Sequence, residues 1–78
     1  MKIIIYSTPS CAYCVMAKEF FKENNVSFEE YNVAADLEKR KEMMQKTGQM
    51  MVPVIDIDGT VMIGFDKETV AKKVGIKV

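Results

Sequence analysis

Short apolar runs and amphipathic stretches alternate along the chain, and each predicts one structural element. Residues 3–6 are β-branched and aromatic and form a run too short for a helix, which indicates a buried strand. From residue 11 to residue 24, apolar positions recur every three or four residues between charged ones, as in an amphipathic helix. Ser10 is the predicted N-cap, and Asn24 and Asn25 mark the helix end. The recurring apolar positions are Cys14, Val15, Ala17, Phe20 and Phe21.

The middle of the chain predicts a second strand and a second helix. Residues 26–33 alternate apolar and polar side chains, which is the pattern of a half-buried strand. Asp36 is placed to cap a helix that Gly48 ends. The side chains predicted to face inward from this helix are Leu37, Met43 and Met44.

The last third of the chain predicts a hairpin followed by a helix. Two apolar arms, residues 54–57 and 60–63, flank the dipeptide Asp58-Gly59, which is a strong signal for a tight turn. Asp66 then caps a final helix. Its predicted inward positions are Val70, Ala71 and Val74.

The predicted order is therefore β-α-β-α-β-β-α. The first two strands are joined by a helix, so they should lie parallel with a right-handed crossover. The hairpin adds antiparallel strands. These rules predict an α/β fold with one mixed sheet.

Length and composition narrow the class of protein. The 78 residues are enough for one domain, spanning residues 1–78, and leave no room for a second. The formal net charge is zero, so neither a nucleic-acid footprint nor a polybasic membrane patch is expected. No apolar run approaches the ~18 residues of a membrane span, and the opening segment predicts a strand rather than a signal peptide. We therefore expect a cytoplasmic protein that binds neither nucleic acid nor membrane.

Cys11 and Cys14 are the only cysteines in the chain, and they lie at the start of the first predicted helix. Unpaired N–H groups and the helix dipole favour a thiolate there, which would lower the pKa of Cys11 below the free value of about 8.5. Cys14 lies about one turn further on, among the inward-facing positions, and is close enough to attack a mixed disulfide formed on Cys11. The pattern predicts that Cys11 attacks and Cys14 resolves.

Two other uses of the pair are less well supported. A disulfide that closes a four-residue loop removes little chain entropy and would stabilise weakly. A closed zinc site needs four ligands, whereas the chain has two cysteines and no histidine, so one molecule cannot complete a Cys/His site. The absence of histidine also excludes a Cys–His hydrolase.

Pro53 lies at the start of a predicted strand, where two interpretations remain open. A cis Val52–Pro53 bond would leave the backbone polar groups of Val52 free to pair with an extended peptide. Alternatively, a trans proline merely opens the strand. The residues alone favour neither.

Three segments together resemble the glutaredoxins, a family of the thioredoxin-fold superfamily. "IIIYSTPSCAYC" resembles the family's first strand and C-P-Y-C motif, "TGQMMVPVIDIDG" its T-V-P loop and hairpin, and "IGFDKET" the G-G-x-D-D stretch before the last helix. The likeness is greatest to small bacterial glutaredoxin-like proteins and covers nearly the whole chain. It implies a thioredoxin-like fold, with a four-stranded mixed sheet flanked by three helices.

The resemblance also implies a glutathione site around the cysteine pair. Tyr13 would flank the glutathione sulfur, and the Val52 backbone, before cis-Pro53, would pair with the cysteinyl unit. Gln49 would reach the glycyl carboxylate, and the Asp66 carboxylate would meet the γ-glutamyl ammonium. The full implied set is Tyr13, Gln49, Val52, Pro53, Gly64, Phe65 and Asp66, beside the catalytic Cys11 and Cys14.

As a function, the resemblance implies a monomeric dithiol–disulfide oxidoreductase. It would reduce protein disulfides or glutathione mixed disulfides, with glutathione as co-substrate and no permanently bound cofactor or metal. The sequence departs from the family pattern at several positions: Ala12 replaces the motif proline, Thr8 stands where many members carry a lysine, and Met51 replaces the threonine of T-V-P. These departures weaken the case for tight glutathione binding. Two alternatives remain: an electron donor recycled by thioredoxin reductase, and a dimer that holds a [2Fe–2S] cluster through Cys11 and glutathione.

Overall fold

The structure is a computed structural model that describes residues 1–76, and this part of the chain holds four strands and three helices. Their order, β-α-β-α-β-β-α, confirms the prediction. The strands are β1 (Ile3–Ser7), β2 (Glu29–Asn32), β3 (Val54–Ile57) and β4 (Thr60–Ile63). The helices are α1 (Ala12–Glu23), α2 (Leu37–Thr47) and α3 (Lys67–Val74).

The four strands form one mixed sheet in the order β2-β1-β3-β4. β1 runs parallel to β2 and antiparallel to β3, and β3 and β4 form the predicted hairpin. β1 and β3 are therefore the two central strands. Since Tyr6 near the end of β1 pairs with Val54 at the start of β3, the segments that follow β1 and precede β3 meet at one end of the sheet.

A hydrophobic cluster covers each face of the sheet. Successive side chains of β1 point to opposite faces, so β1 contributes to both clusters. On one face, Ile5 packs with Phe21 of α1 and Ala71 of α3. On the other face, Tyr6 packs with Met43 of α2. The sheet is thus sandwiched between α1 and α3 on one side and α2 on the other, as predicted for an α/β fold.

The predicted ends of the helices are confirmed at all but one position. Asp36 and Asp66 are the N-caps of α2 and α3, and Gly48 ends α2 with φ +71°. The prediction that Ser10 caps α1 is wrong: the N-cap is Cys11, whose Sγ accepts the N–H of Cys14. The helix begins one residue later than predicted, so the sulfur occupies the position where a capping oxygen usually lies.

Three apolar side chains predicted to face the core are exposed. On α2, Met43 is fully buried, but Leu37 is 62% and Met44 is 39% exposed. Each helical residue advances by about 100°, so the next residue, and one six positions away, cannot share the face of Met43. On α1, Val15 is exposed next to the buried Cys14 for the same reason. The second strand is also shorter than predicted, covering Glu29–Asn32.

A cluster of hydrogen-bonded polar side chains links α2 to the sheet. The Lys46 Nζ donates hydrogen bonds to the Tyr6 hydroxyl and to Asp56 Oδ2, both at 2.7 Å, and the Tyr6 hydroxyl donates to Glu42 at 2.8 Å. Burial alone would lower the pKa of Lys46, but its hydrogen bonds to Asp56 and Tyr6 outweigh burial and raise that pKa to about 12. Burial would likewise raise the pKa of Asp56, but Lys46 and the N–H of Gly59 hold it below its ordinary value.

This cluster predicts a pH-dependent effect of replacing Lys46. The lowered pKa of Asp56 stabilises the fold above its ordinary value of 3.8, and that contribution is lost as the pH falls through the pKa of the folded state. We expect Lys46→Met to lower the free energy of unfolding most at neutral pH, because it leaves the Asp56 charge without its partner. The difference from the parent should shrink as the pH falls below 3.8.

Urea unfolding of both proteins from neutral to acidic pH measures this difference. Lys41→Met is the matched control, since Lys41 is an exposed lysine of the same helix. A difference between Lys46→Met and the parent that stays constant across the acidic range would contradict the assigned pairing.

Candidate active site

The loop between β1 and α1 holds Cys11 at the start of the helix, as the sequence predicts. The N–H of Cys11 donates to the carbonyl oxygen of Thr8 at 3.3 Å, which closes a turn at the end of β1. The Cys11 Sγ accepts the N–H of Cys14 at 3.1 Å, and the Cys11 carbonyl accepts the N–H of Val15 at 3.2 Å. The sulfur therefore accepts one of the first-turn amides that have no partner within the helix.

The two cysteines are joined by a disulfide and differ in accessibility. Their Cα atoms are 5.2 Å apart. Cys14 is fully buried, as predicted, whereas Cys11 is partly exposed. A disulfide partner approaching from solvent therefore reaches the Cys11 sulfur first. The first turn of α1 carries no acidic side chain that would oppose the helix dipole at that sulfur.

The Val52–Pro53 peptide bond is cis, which decides between the two interpretations left open by the sequence. Pro53 is buried, and Val52 is only partly exposed. Because Pro53 directly precedes β3, and β3 pairs with β1, this turn lies at the same end of the sheet as the cysteine loop. The two segments that the sequence predicts to form the site thus meet.

A hydrogen bond attaches the third predicted segment to this end of the sheet. The N–H of Gly64 donates to the Pro53 carbonyl at 2.7 Å, and Gly64 has φ +86°, a left-handed conformation that favours glycine. Phe65 is partly buried, and Asp66 is exposed at the start of α3. Asp66 Oδ1 accepts the N–H of Glu68, and its Oδ2 accepts the Thr69 hydroxyl, both at 3.1 Å.

A cavity of about 310 Å³ lies between α2 and the Val52–Pro53 turn. Its lining includes Thr8, Arg40, Met50 and Val52. Sequence reasoning missed Arg40, although its spacing gave a signal: it lies three residues before the inward-facing Met43, beside the sheet-facing side of α2. Gln49, predicted to bind at this end, is exposed and is not among the cavity-lining residues.

Several apolar side chains close in sequence to the cysteine pair or to Pro53, or at the end of β4, are exposed. Tyr13, two residues after Cys11, is 60% exposed. Met16, Met50, Met51 and Ile63 are also exposed. Together these side chains offer an adaptable apolar rim, because methionine fits varied surfaces.

Among residues 1–76, no helix has the length and apolar character needed to cross a membrane. The same stretch contains no group of three or more His, Cys, Asp or Glu side chains that could hold a metal ion.

The fold and the accessible Cys11–Cys14 disulfide at a helix start define a thioredoxin-fold protein of the thiol–disulfide oxidoreductase class. Comparison with protein families narrows this class: the family model described as Glutaredoxin matches residues 3–62. The chain belongs to the glutaredoxin family.

Individual relatives agree with this assignment. An uncharacterized glutaredoxin-like 8.6 kDa protein in the rubredoxin operon of Clostridium pasteurianum is 46% identical, and the match covers 90% of this chain and 93% of the relative. Glutaredoxin 3 of Escherichia coli K12 is 37% identical, with coverage of 80% and 75%. Among solved structures, the glutaredoxin-like protein NrdH-redoxin of Escherichia coli superposes with a TM-score of 0.80 at 25% identity, covering 92% of this chain and 93% of that one. That protein is described as having a thioredoxin-like activity profile.

Proposed function

We propose that this chain is a monomeric dithiol oxidoreductase of the cytoplasm that reduces protein disulfides or glutathione mixed disulfides and is recycled by glutathione. One observation carries the proposal: an accessible sulfur at a helix N-terminus is linked to a buried sulfur one turn away, beside a cis-proline turn. Glutathione acts as a co-substrate, and no permanently bound cofactor takes part.

The reaction begins with the Cys11 thiolate, which attacks one sulfur of the substrate disulfide and expels the other as a thiolate. Cys14 then attacks the Cys11 sulfur of the mixed disulfide, and the second substrate sulfur leaves with its electron pair. The substrate gains two electrons, and the cysteine pair is oxidised to the disulfide seen in the structure. Two glutathione molecules return the pair to dithiols and form glutathione disulfide.

The position of Val52 supports the binding site proposed for the cysteinyl unit of glutathione. Val52 is partly exposed and lines the cavity, and an extended peptide bound there would pair with its backbone groups. The exposed ring of Tyr13 then contacts the sulfur end of the ligand.

Charged groups of this chain are available for the two charged ends of glutathione. The segment of Gly64 and Phe65 leads into the N-terminus of α3, whose dipole favours the γ-glutamyl carboxylate, and the exposed Asp66 offers a carboxylate to its ammonium. Arg40 lines the cavity on the side of Val52 and makes no ion pair within residues 1–76, so it is available for the glycyl carboxylate. Gln49 remains a predicted contact at that end.

A second candidate is an electron donor recycled by thioredoxin reductase. Two observations favour it: the similarity to NrdH-redoxin, described as thioredoxin-like in activity, and the neutral or apolar side chains at Thr8 and Met51. The apolar rim around Cys11 suits a protein partner at least as well as a small charged one.

Turnover of a small glutathione mixed disulfide, coupled to glutathione reductase and NADPH, separates these candidates. The proposal predicts turnover with glutathione. Reduction of the oxidised protein by thioredoxin reductase and NADPH, without glutathione turnover, would establish the second candidate instead. The [2Fe–2S] dimer remains a third prediction, and a colourless monomer after anaerobic purification with glutathione would contradict it.

A substitution at Asp66 tests its role as a ligand separately from its role as a cap. Asn caps a helix about as well as Asp, so Asp66→Asn is expected to leave the free energy of unfolding nearly unchanged. The loss of one charged hydrogen-bond partner is expected to raise the KM for glutathione about tenfold. Steady-state kinetics at varied glutathione measure this effect.

The matched control is Asp36→Asn, which makes the same change at the cap of α2. An unchanged KM in Asp66→Asn would show that Asp66 serves only as a cap.

A further inference from the structure

Cys14 must lose a proton before it can resolve a mixed disulfide, yet it is fully buried. In this structure its sulfur has no direct access to bulk water. The resolving step, which rests on the function proposed above, therefore requires a group within the protein that accepts this proton.

A hydrogen-bonded trio of side chains lies on the face of the sheet that α1 covers. The Ser7 hydroxyl donates to Glu30 Oε2 at 2.9 Å, and the Lys18 Nζ donates to the same oxygen at 2.6 Å. Ser7 is 2% exposed, whereas the side chain of Glu30 is 38% exposed. The trio thus leads from the buried end of β1, through one carboxylate on β2, to solvent.

Strand and helix periodicity place Cys14 over the buried end of this trio. Ile3 and Ile5 contact the α1 side of the core, so Ser7, the next alternate residue of β1, points to the same side. On α1, Cys14 precedes the inward-facing Ala17 by three residues, so it shares the sheet-facing side. Since Ser7 ends β1 and Cys14 lies in the first turn after the connecting loop, both buried residues belong to the interface between β1 and α1.

Lys18 supports the same placement from the helix side. It lies four residues after Cys14, one turn along α1, and its ammonium reaches Glu30. Glu30 in turn pairs with Ile5 in the parallel register, next to Ser7. The hydrogen bond from Lys18 lowers the pKa of Glu30, and the bond from Ser7 adds to this, so the carboxylate is ionised at neutral pH and can accept a proton.

We propose that Ser7 and Glu30 form a proton relay that activates Cys14 for the resolving step. In the reduced state the Cys14 thiol donates to a free lone pair of Ser7 Oγ, whose own proton is already directed at Glu30. As the Cys14 sulfur attacks Cys11, its proton passes to Ser7 Oγ and the Ser7 proton passes to Glu30 Oε2. Glu30 then releases the proton to solvent. The Cys11–Cys14 bond forms, the bond from Cys11 to the substrate sulfur breaks, and that sulfur leaves as a thiolate.

In this scheme Ser7 contacts a reacting atom, whereas Glu30 acts through Ser7. Lys18 is a positioning residue that holds the carboxylate in place. A merely structural role for the trio would affect both steps of disulfide exchange alike, because Cys11 and Cys14 share one helix. A relay affects only the second step.

Rapid mixing of the full-length reduced protein with Ellman's reagent resolves the two steps. This aromatic disulfide releases one coloured thiolate when Cys11 attacks it and a second when Cys14 resolves the mixed disulfide. We expect Glu30→Gln and Ser7→Ala to leave the first phase unchanged and to slow the second roughly 100-fold, the lower range for a positioned proton acceptor. Glu30→Gln retains an acceptor for the Ser7 hydroxyl, so it tests the proton rather than the packing.

Glu29→Gln is the matched control, because it removes the same charge from the adjacent residue of β2, whose side chain pairs with Tyr31 instead. A second phase that is unchanged in both relay variants, or slowed equally in Glu29→Gln, would overturn the relay. A parent protein that lacks the first phase would overturn the proposed function of Cys11, and the relay with it. A parent that shows both phases but is not recycled by glutathione would overturn only the choice of reductant.

Discussion

Replacing Cys11 by serine is expected to abolish turnover, whereas replacing Cys14 by serine should preserve reaction with glutathione mixed disulfides. Of the two cysteines, only Cys11 is partly exposed, and its sulfur accepts an amide at the helix start. A glutathione mixed disulfide on Cys11 can be resolved by a second glutathione, so Cys14 is dispensable for that substrate. The measurement is the glutathione-coupled rate of the parent and the two variants.

The same variants separate the two substrate classes. Cys14→Ser should lose activity toward protein disulfides, because the mixed disulfide with a protein persists without a resolving thiol. Equal loss in both variants toward the glutathione mixed disulfide would contradict the assigned roles. Alkylation by iodoacetamide provides the control, since Cys14→Ser should still be modified at neutral pH through its thiolate.

The second large effect concerns stability. Phe21→Ala is expected to lower the free energy of unfolding by about 3–5 kcal/mol, because it removes a fully buried ring and leaves a cavity. Phe21 packs against Phe20 and Phe28, with ring centroids 5.9 and 5.7 Å away. A domain of this size has a total stability of about 4–12 kcal/mol, so the variant should lose a large fraction of it and unfold at a much lower urea concentration. Urea unfolding of the reduced proteins measures the change.

Met16→Ala is the control on the same helix. Its side chain is 51% exposed, so the change should stay within about 0.5 kcal/mol. A similar loss in both variants would show that the helix itself, and not the buried ring, determines stability.

Much of the fold was predictable because local signals agreed with tertiary ones. The turn at Asp58 and Gly59 and the caps at Asp36 and Asp66 are each specified by a few adjacent residues. The errors arose where the direction in which a side chain points depends on how its helix packs against the rest of the molecule. The local sequence does not distinguish Met43 from Met44. Met43 is buried only because α2 packs with that side against the sheet.

The residues of the candidate site likewise fall into those that the local sequence predicts and those that only the fold brings together. Cys11 and Cys14 were predictable, because sequence spacing within one helix determines their separation. The contact of Ser7 with Glu30 depends instead on the parallel register of β1 and β2, which pairs residues 25 positions apart. Arg40 likewise becomes relevant only when α2 packs beside the turn at Val52.

The position of the first residues, at the end of the sheet away from Cys11, has a practical consequence. The Lys2 backbone pairs with Asp58 in both directions, at 2.6 and 2.9 Å, so the chain enters the fold beside the hairpin turn. Because β1 runs from there toward Cys11, the amino terminus lies at the opposite end from the reactive sulfur. The protein can therefore be tethered to a solid support or fused to a reporter through its first residue, and its disulfide will still meet large substrates.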